Sequence, residues 1–203
     1  MCGIVGIFDT QGKREIDRQI LNELNQTQTH RGPDEGELYL EPGVGFGHRR
    51  LSIMDVSSGQ QPLFNEDGSV VVIFNGEIYN YQELAKELVA RGHRFRTHCD
   101  TEVIVHGWEE WGEQCVDRFR GMFAFGLWDR NQNTLFIARD RLGIKPLYYA
   151  LLKNGLFIFS SELKAIHTHP EFVKEFDHFA IEEYFAYGYI PEPRTIYKHA
   201  QKL

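Results

Sequence analysis

The sequence predicts an α+β protein in which helices cover the outer faces of packed β-sheets. Predicted strands outnumber predicted helices, and the strands fall into two blocks that a group of helices separates. A doubly wound fold would instead alternate one helix with nearly every strand. Aromatic residues make up 13% of the 203 residues, with 15 Phe, and this share favours a β-rich interior.

The first block of strands opens at the amino terminus. The apolar run 4–8 is typical of a short buried strand that would hold the terminus in place. Segments 38–40 and 44–47 predict two further short strands around a Pro-Gly turn. The run 70–74 is the clearest strand of the chain, because its β-branched residues are almost uninterrupted.

Helices are predicted where apolar residues recur every three or four positions. The first lies within residues 14–30 and ends at the turn signal 31–34. Two more are predicted at 81–91 and 101–111, with a short strand around Phe95 between them. These helices separate the two strand blocks.

The second block consists mainly of strands. Turn residues at hairpin spacing separate four predicted strands at 122–128, 134–138, 147–150 and 156–159. Two short helices, near 162–167 and 178–187, close the domain. The sequence has no internal repeat, so we expect one domain over 1–203. Its last residues lack a turn or cap, which leads us to expect a longer parent protein.

Charge and cysteine content limit the function classes. The formal net charge of −7 argues against nucleic-acid and acidic-membrane partners, which require basic surface. Three cysteines, Cys2, Cys99 and Cys115, form no disulfide framework and suggest a reducing compartment. The sequence shows neither a signal-peptide pattern nor a run long enough to span a membrane. We therefore expect a cytoplasmic protein.

Cys2 offers unusual chemistry because it follows the initiator methionine. Removal of Met1 would leave Cys2 with both a thiol, of ordinary pKa about 8.5, and an α-amine of pKa roughly 7.7–8.0. The amine can then accept the thiol proton, so nucleophile and base lie on one residue. Taken alone, the pattern favours an ordinary buried cysteine, since free cysteines are often buried.

Further motifs decide between these two interpretations. The motifs, in order, are Cys2-Gly3-Ile4, His30-Arg31-Gly32-Pro33-Asp34, Arg50-Leu51-Ser52-Ile53, Asn75-Gly76-Glu77-Ile78-Tyr79-Asn80, Asp100-Thr101-Glu102, Gly121-Met122-Phe123-Ala124-Phe125 and the segment from Arg139 to Tyr148. Together they resemble the glutaminase domain of class II glutamine amidotransferases, of the N-terminal-nucleophile (Ntn) hydrolase type. Within that family they resemble the glutamine-dependent asparagine synthetases. The resemblance implies a four-layer αββα sandwich of two antiparallel sheets.

The resemblance implies hydrolysis of the L-glutamine side-chain amide to glutamate and ammonia. Cys2 would attack the amide carbon and form a thioester. Asn75 and Gly76 would donate hydrogen bonds to the developing oxyanion. The alternative for this pair is structural, because Asn-Gly is also the preferred two-residue hairpin turn.

The resemblance also implies which residues hold the substrate. Arg50 would bind the glutamine α-carboxylate with its planar fork of donors, and Arg49 is the alternative at the next position. Leu51 and Ile53 would offer backbone groups to the substrate. The family motif places the functional arginine directly before Leu-Ser-Ile, and the resemblance therefore favours Arg50 over Arg49.

Two carboxylates are assigned to the substrate α-ammonium. Asp100 is the main candidate, and Glu77 contributes to a lesser extent. The structural alternative for Asp100 is a helix N-cap, because it precedes the predicted helix at 101–111.

The family binds ATP and Mg²⁺ in a separate C-terminal synthetase domain with a glycine-rich phosphate loop, and that loop is absent from these 203 residues. We therefore expect no cofactor in this domain, and the synthetase domain of a parent protein as its partner. A homodimer is a further hypothesis. Resemblance of residues 59–65 and 187–193 to amidotransferases of exosortase systems suggests that the parent enzyme amidates something other than aspartate.

Competing classes are weaker. A metal site built from His93, His98, Cys99, Asp100 and His106 has suitable ligand types but lacks a zinc-binding spacing, so no metal is predicted. A non-catalytic docking module would be expected to lack Cys2, Arg50, Asn75 or Asp100, and the sequence retains all of them. Phosphoribosyl-pyrophosphate and fructose-6-phosphate amidotransferases share the chemistry, but residues 77–80 favour the asparagine synthetase branch.

Overall fold

The structure is a computed structural model that describes residues 1–12, 14–52 and 59–203. Its strands, in chain order, are β1 (Gly3–Asp9), β2 (Glu35–Glu41), β3 (Val44–Arg50), β4 (Leu63–Phe64), β5 (Val70–Ile78), β6 (Gly121–Asp129), β7 (Thr134–Arg139), β8 (Tyr148–Leu151), β9 (Leu156–Ser160) and β10 (Gln201–Lys202). The first sheet has the order β10-β8-β9-β1-β3-β2, and the second has the order β4-β5-β6-β7. All of these strand pairings are antiparallel.

Six α-helices accompany the two sheets in the described part of the chain. They are α1 (Arg18–Gln26), α2 (Tyr81–Ala90), α3 (Glu102–Trp111), α4 (Cys115–Arg118), α5 (Leu163–Thr168) and α6 (His178–Tyr187), with a 3₁₀ turn at Gly112–Gln114. Helices α1 and α5 share one apolar cluster with the first sheet, whereas α2 and α3 share another with the second sheet. Among the described ranges, no helix is both long enough and apolar enough to cross a bilayer.

Side-chain alternation along the strands produces a third cluster between the sheets. Ile4 faces the space between the sheets, whereas Val5, the next residue of β1, faces α1. Phe159 of β9 fills the centre of this space. A Cβ at Gly6 of β1 or at Gly126 of β6 would approach its ring to 2.1 Å and 2.2 Å respectively. The four-layer αββα arrangement implied by the family resemblance is therefore confirmed.

The strand predicted around Phe95 is wrong, because residues 93–97 form a loop. Three of its backbone N–H groups, those of Arg94, Arg96 and Thr97, donate to carboxylates and not to a neighbouring strand. Arg94 N donates to Glu66 Oε1 at 2.8 Å, and Arg96 N donates to Glu102 Oε1 at 2.7 Å. The other predicted elements are present with shifted ends. Local patterning did not predict the short elements β4, α4 and β10.

Candidate active site

The motif residues converge on one cavity of about 90 Å³ at the ends of β1, β3 and β5. Cys2 precedes β1, Arg50 ends β3, and residues 75–77 belong to β5. Asp100 comes just before α3. Both sheets contribute to the lining, which consists of Met1, Cys2, Arg50, Leu51, Gly59, Gln61, Phe74, Asn75, Gly76, Glu77, Cys99, Asp100, Thr101 and Lys145.

Cys2 is held in place through its backbone. The Cys2 carbonyl oxygen accepts a hydrogen bond from Arg31 Nε at 3.0 Å. Arg31 is itself anchored, because its Nη1 lies 3.2 Å from Glu162 Oε1. The thiol faces the Leu51 carbonyl oxygen, with Sγ···O at 3.8 Å. Arg31, predicted only as part of a structural loop, therefore fixes the carbonyl of the candidate nucleophile.

Met1 lines the same cavity and is 54% exposed. While Met1 is attached, the Cys2 nitrogen is an amide and cannot act as a base. Loss of Met1 would therefore have two effects. It would create the free amine and remove a side chain from the cavity.

Asn75 and Gly76 lie in the middle of a strand and not in a hairpin turn. Asn75 pairs with Ala124, and Gly76 pairs with Phe123, in the long ladder between β5 and β6. A Cβ at position 76 would lie 2.3 Å from the Met122 carbonyl oxygen, so packing requires glycine there. The turn interpretation of this pair is wrong, because pairing with β6 overrides the local turn preference.

The Asn75 amide is a buried donor on a residue that lines the cavity. The residue is 1% exposed. Within residues 1–12, 14–52 and 59–203, no group accepts a hydrogen bond from Asn75 Nδ2. Leaving a buried donor unsatisfied costs roughly 1–3 kcal/mol. A ligand oxygen in the cavity would remove that cost.

His48, which the sequence analysis did not single out, links the two sheets beneath this site. Its Nε2 donates to the Phe74 carbonyl oxygen at 3.2 Å, one residue before Asn75. Burial, together with the charges of Arg50 and Arg49, lowers the pKa of His48 to about 4. The ring is therefore neutral at pH 7. In the sequence, only the alternation of residues along β3 could have indicated that His48 faces the second sheet.

Arg50, and not Arg49, lines the cavity. The Arg50 side chain is 5% exposed, and its Nη1 lies 3.2 Å from Glu35 Oε1. Arg49 instead donates from Nε to the Gly32 carbonyl oxygen at 3.0 Å. Leu51 also lines the cavity, whereas Ile53 lies outside the described residues.

Asp100 and Glu77 place two carboxylates in the same cavity. Asp100 Oδ2 accepts a hydrogen bond from the Ile78 backbone N–H at 2.8 Å. Thr101, and not Asp100, occupies the position before α3, so the N-cap interpretation of Asp100 does not hold. Burial, with the charge of Glu77 as a further cause, raises the pKa of Asp100 to about 6. A cation bound here would stabilise the ionised Asp100 carboxylate and so counteract both burial and the repulsion from Glu77.

Sequence reasoning missed two polar residues of the cavity, Gln61 and Lys145. Gln61 Oε1 accepts from Phe74 N at 2.6 Å, which supports the β5 backbone next to Asn75. Lys145 is 6% exposed, and its backbone N–H donates to Asp140 Oδ2 at 2.9 Å. The sequence analysis named the segment from Arg139 to Tyr148 only as one of the family motifs and assigned no site residue within it.

The fold is that of the Ntn-type amidotransferases. It is similar to that of the glutamine phosphoribosylpyrophosphate amidotransferase from B. subtilis complexed with ADP and GMP. The TM-score is 0.66 at 22% identity, covering 87% of this chain and 45% of that one. A second structure, described as the allosteric regulatory enzyme of purine biosynthesis, gives a TM-score of 0.65 at 20% identity, covering 82% of this chain and 43% of that one. Likeness at these identities establishes the fold alone.

Sequence comparison then gives the family. The model of the glutamine amidotransferase domain family matches residues 1–203, and the chain belongs to this family. It is 42% identical over 205 residues to asparagine synthetase [glutamine-hydrolyzing] 1 of Bacillus subtilis, covering 100% of this chain and 32% of that protein. It is 48% identical over 179 residues to asparagine synthetase [glutamine-hydrolyzing] 2 of the same organism, covering 87% of this chain and 24% of that protein.

A putative asparagine synthetase [glutamine-hydrolyzing] 2 of Methanocaldococcus jannaschii is 39% identical over 224 residues, covering 100% of this chain and 42% of that protein. The chain thus spans between 24% and 42% of the length of these three relatives. The predicted family is confirmed, as is the similarity to glutamine-hydrolysing asparagine synthetases. None of these three relatives concerns exosortase systems, so that hypothesis stays a prediction.

Proposed function

We propose that this domain hydrolyses the side-chain amide of L-glutamine to glutamate and ammonia, with Cys2 as the nucleophile. The observation that carries the proposal is the buried Asn75 amide, which has no acceptor among the described residues and shares a cavity with the Cys2 thiol. A donor without an acceptor beside a nucleophile is what a developing oxyanion requires.

The proposed reaction begins after Met1 is removed. The Cys2 α-amine accepts the thiol proton, and the thiolate attacks the amide carbon of glutamine. The resulting oxyanion accepts hydrogen bonds from Asn75 Nδ2 and the Gly76 N–H. The protonated amine then gives its proton to the leaving nitrogen, which departs as ammonia and leaves a thioester. Water, deprotonated by the same amine, attacks the thioester. The C–S bond then breaks, glutamate is released, and the protonated amine returns its proton to the Cys2 thiolate.

The rest of the cavity supports recognition of the amino-acid end of glutamine. Arg50 would bind the α-carboxylate, and Glu35 would hold the guanidinium in position from behind. Asp100 and Glu77 would bind the α-ammonium, and Leu51 and Ile53 would offer backbone groups. We propose that this half-reaction uses no cofactor, because every step needs only Cys2 and hydrogen-bond donors.

Substrate binding is expected to weaken below about pH 6, where the raised pKa of Asp100 leaves its carboxyl group protonated. A neutral Asp100 attracts the α-ammonium less, so KM for glutamine should rise as pH falls through that value. The measurement is initial-rate kinetics between pH 5 and pH 8, where pH 5 lies roughly one unit below the raised pKa. Asp100→Asn should show a high KM with little dependence on pH in this range. A wild-type KM that stays flat across pH 6 would contradict the assignment of Asp100.

We further propose that the ammonia serves an ATP-dependent amidation of the asparagine synthetase type, carried out by a synthetase domain outside these residues. The names of the relatives and the fraction of their length that this chain spans support the proposal. ATP and Mg²⁺ would bind to that domain. The free cysteines Cys2, Cys99 and Cys115 are consistent with a cytoplasmic enzyme. Aspartate is the proposed acceptor of the ammonia. Under the exosortase hypothesis, the parent enzyme would instead amidate a different carboxylate.

Affinity labelling tests the glutaminase proposal directly. The protein is incubated with diazo-oxo-norleucine, a glutamine-like label, and its intact mass is recorded before and after. We expect loss of Met1 and one adduct that maps to Cys2. If Met1 is absent and no adduct forms, the glutamine site is not functional in this domain. If Met1 is retained, it is removed with an aminopeptidase and the labelling is repeated. The second labelling then decides whether Cys2 is the nucleophile.

A further inference from the structure

A second group of polar side chains converges on the outer side of α3. It consists of Glu66, which follows β4, His93, which follows α2, and His106 and Glu109 on α3. One ligand atom from each residue can be chosen so that all four lie within 4.8 Å of one another. None of the four is among the described residues that line the Cys2 cavity. The glutaminase mechanism leaves this cluster unexplained.

The separations within the cluster fit a shared metal ion. His106 Nδ1 lies 3.4 Å from Glu66 Oε2 and 3.3 Å from Glu109 Oε2. His93 Nδ1 lies 3.7 Å from Glu109 Oε2 and 3.9 Å from Glu66 Oε1. Tetrahedral zinc with bonds of roughly 2.0–2.2 Å places its ligand atoms about 3.3–3.6 Å apart. Small side-chain adjustments would bring all four ligand atoms to these distances.

The outer nitrogens of both histidines face carboxylates. His106 Nε2 lies 3.5 Å from Glu102 Oε1, and His93 Nε2 lies 3.6 Å from Glu110 Oε2. Metal-binding histidines are ordinarily oriented in this way, with one nitrogen towards the metal and the other N–H towards a carboxylate or carbonyl. Both histidines thus have the orientation of metal ligands. An accidental ion-pair cluster would not explain why the two are arranged alike.

Second hydrogen bonds orient the two glutamates. Glu109 Oε1 accepts from Asn65 Nδ2 at 2.7 Å, so Oε2 is the oxygen that faces His106. Glu66 Oε1 accepts from the Arg94 backbone N–H at 2.8 Å, and Oε2 faces His106. The cluster thus has partners outside the set that hold its members in place, as metal sites require.

The charge of the cluster also favours a cation. Four carboxylates, those of Glu66, Glu102, Glu109 and Glu110, surround two imidazoles. Arg91 Nη1 lies 2.6 Å from Glu110 Oε1 and offsets one of these charges. A divalent ion would offset much of the charge that remains.

We propose that Glu66, His93, His106 and Glu109 bind one divalent transition-metal ion, with zinc the ion that this nitrogen and oxygen donor set fits best. Four protein ligands leave no open position, so the site is structural. It joins the loop at 93–97 to α3, and the same loop leads to Asp100 at the active-site cavity. The site differs from the combination of His93, His98, Cys99, Asp100 and His106 considered from the sequence, because only the fold brings Glu66 and Glu109 to the histidines.

The test measures metal binding to the purified 203-residue chain, independently of glutamine hydrolysis. After removal of metal with a chelator, the protein is titrated with Zn²⁺, and bound metal is counted by elemental analysis. We expect one zinc per chain. His93→Gln should lose stoichiometric binding, and Glu110→Gln, which changes only an outer partner, should bind about 10–100-fold more weakly. His199→Gln, a surface histidine paired with Glu175, is the matched control and should bind like the wild type.

Cobalt provides a second readout that does not depend on the variants. Co²⁺ bound by four ligands in a tetrahedron absorbs visible light far more strongly than six-coordinate Co²⁺, and Zn²⁺ should displace it. If His93→Gln does not fold, Glu110→Gln and the wild-type cobalt spectrum decide. Absence of stoichiometric binding by the wild type would overturn the proposal and leave an ion-pair network around a protonated His106. Equal binding by wild type, His93→Gln and Glu110→Gln would also overturn it.

Discussion

Cys2→Ala is expected to reduce glutamine hydrolysis by at least about 10³-fold, because the variant lacks the proposed nucleophile. Cys99, the other cysteine that lines the cavity, is buried, and burial raises the pKa of its thiol. Glutamine binding should persist, since the proposed carboxylate and ammonium partners, Arg50 and Asp100, are unchanged. The measurements are glutamate release for turnover and calorimetric titration for binding. Circular dichroism checks that the fold is retained.

Cys115→Ala is the matched control for this variant. Cys115 is fully buried in the cluster between α3 and the second sheet, away from the cavity. We expect its turnover to remain close to that of the wild type, with some loss of thermal stability from the small cavity created. Turnover of Cys2→Ala within about tenfold of the wild type would contradict the nucleophile assignment.

Asn75→Ala is expected to lower kcat by about 10²–10³-fold, the usual cost of removing one oxyanion donor. KM should change little, because the ground-state amide gains less from this donor than the tetrahedral intermediate does. The melting temperature of Asn75→Ala should be no lower than that of the wild type, because the substitution removes a buried donor that has no acceptor. Steady-state kinetics and thermal melting provide the two readouts.

Asn133→Gly is the control for the asparagine series. Asn133 lies in the turn between β6 and β7 with a φ of 52°, a conformation that glycine adopts without strain. Its kinetics should match those of the wild type. If Asn75→Ala raised KM and left kcat intact, Asn75 would act in binding or in the local backbone, and the oxyanion proposal would fail.

Much of the fold could be predicted from local patterns. The β-branched run at 70–74 and the apolar run at 4–8 each form strands, because their side chains require two buried faces. The α+β class followed from the order of strands and helices. The family assignment rested on motifs of consecutive residues, which can be recognised without a three-dimensional structure.

The exceptions occur where distant contacts override local preference. Asn75-Gly76 has the composition of a hairpin turn, yet pairing with Ala124 and Phe123 keeps both residues in β5. The loop at 93–97 has strand-like residues, but the N–H groups of Arg94, Arg96 and Thr97 donate to Glu66 and Glu102 instead of to a neighbouring strand. Ala124, Phe123 and Glu66 are far away in sequence, so no local window contains them, whereas Glu102 is five or six residues from the N–H groups that it binds.

The sequence by itself determined the class of fold, the family and the candidate nucleophile, because each depends on the identity and order of nearby residues. The family motif favoured Arg50 over Arg49, and the tertiary structure supplied the physical reason, since adjacent strand residues face opposite sides and only Arg50 of the two lines the cavity. Only the tertiary structure brought Glu66 next to His106, which are distant in sequence. Site geometry depends on which surfaces of the two sheets and their helices meet, and that is settled by packing over the whole chain.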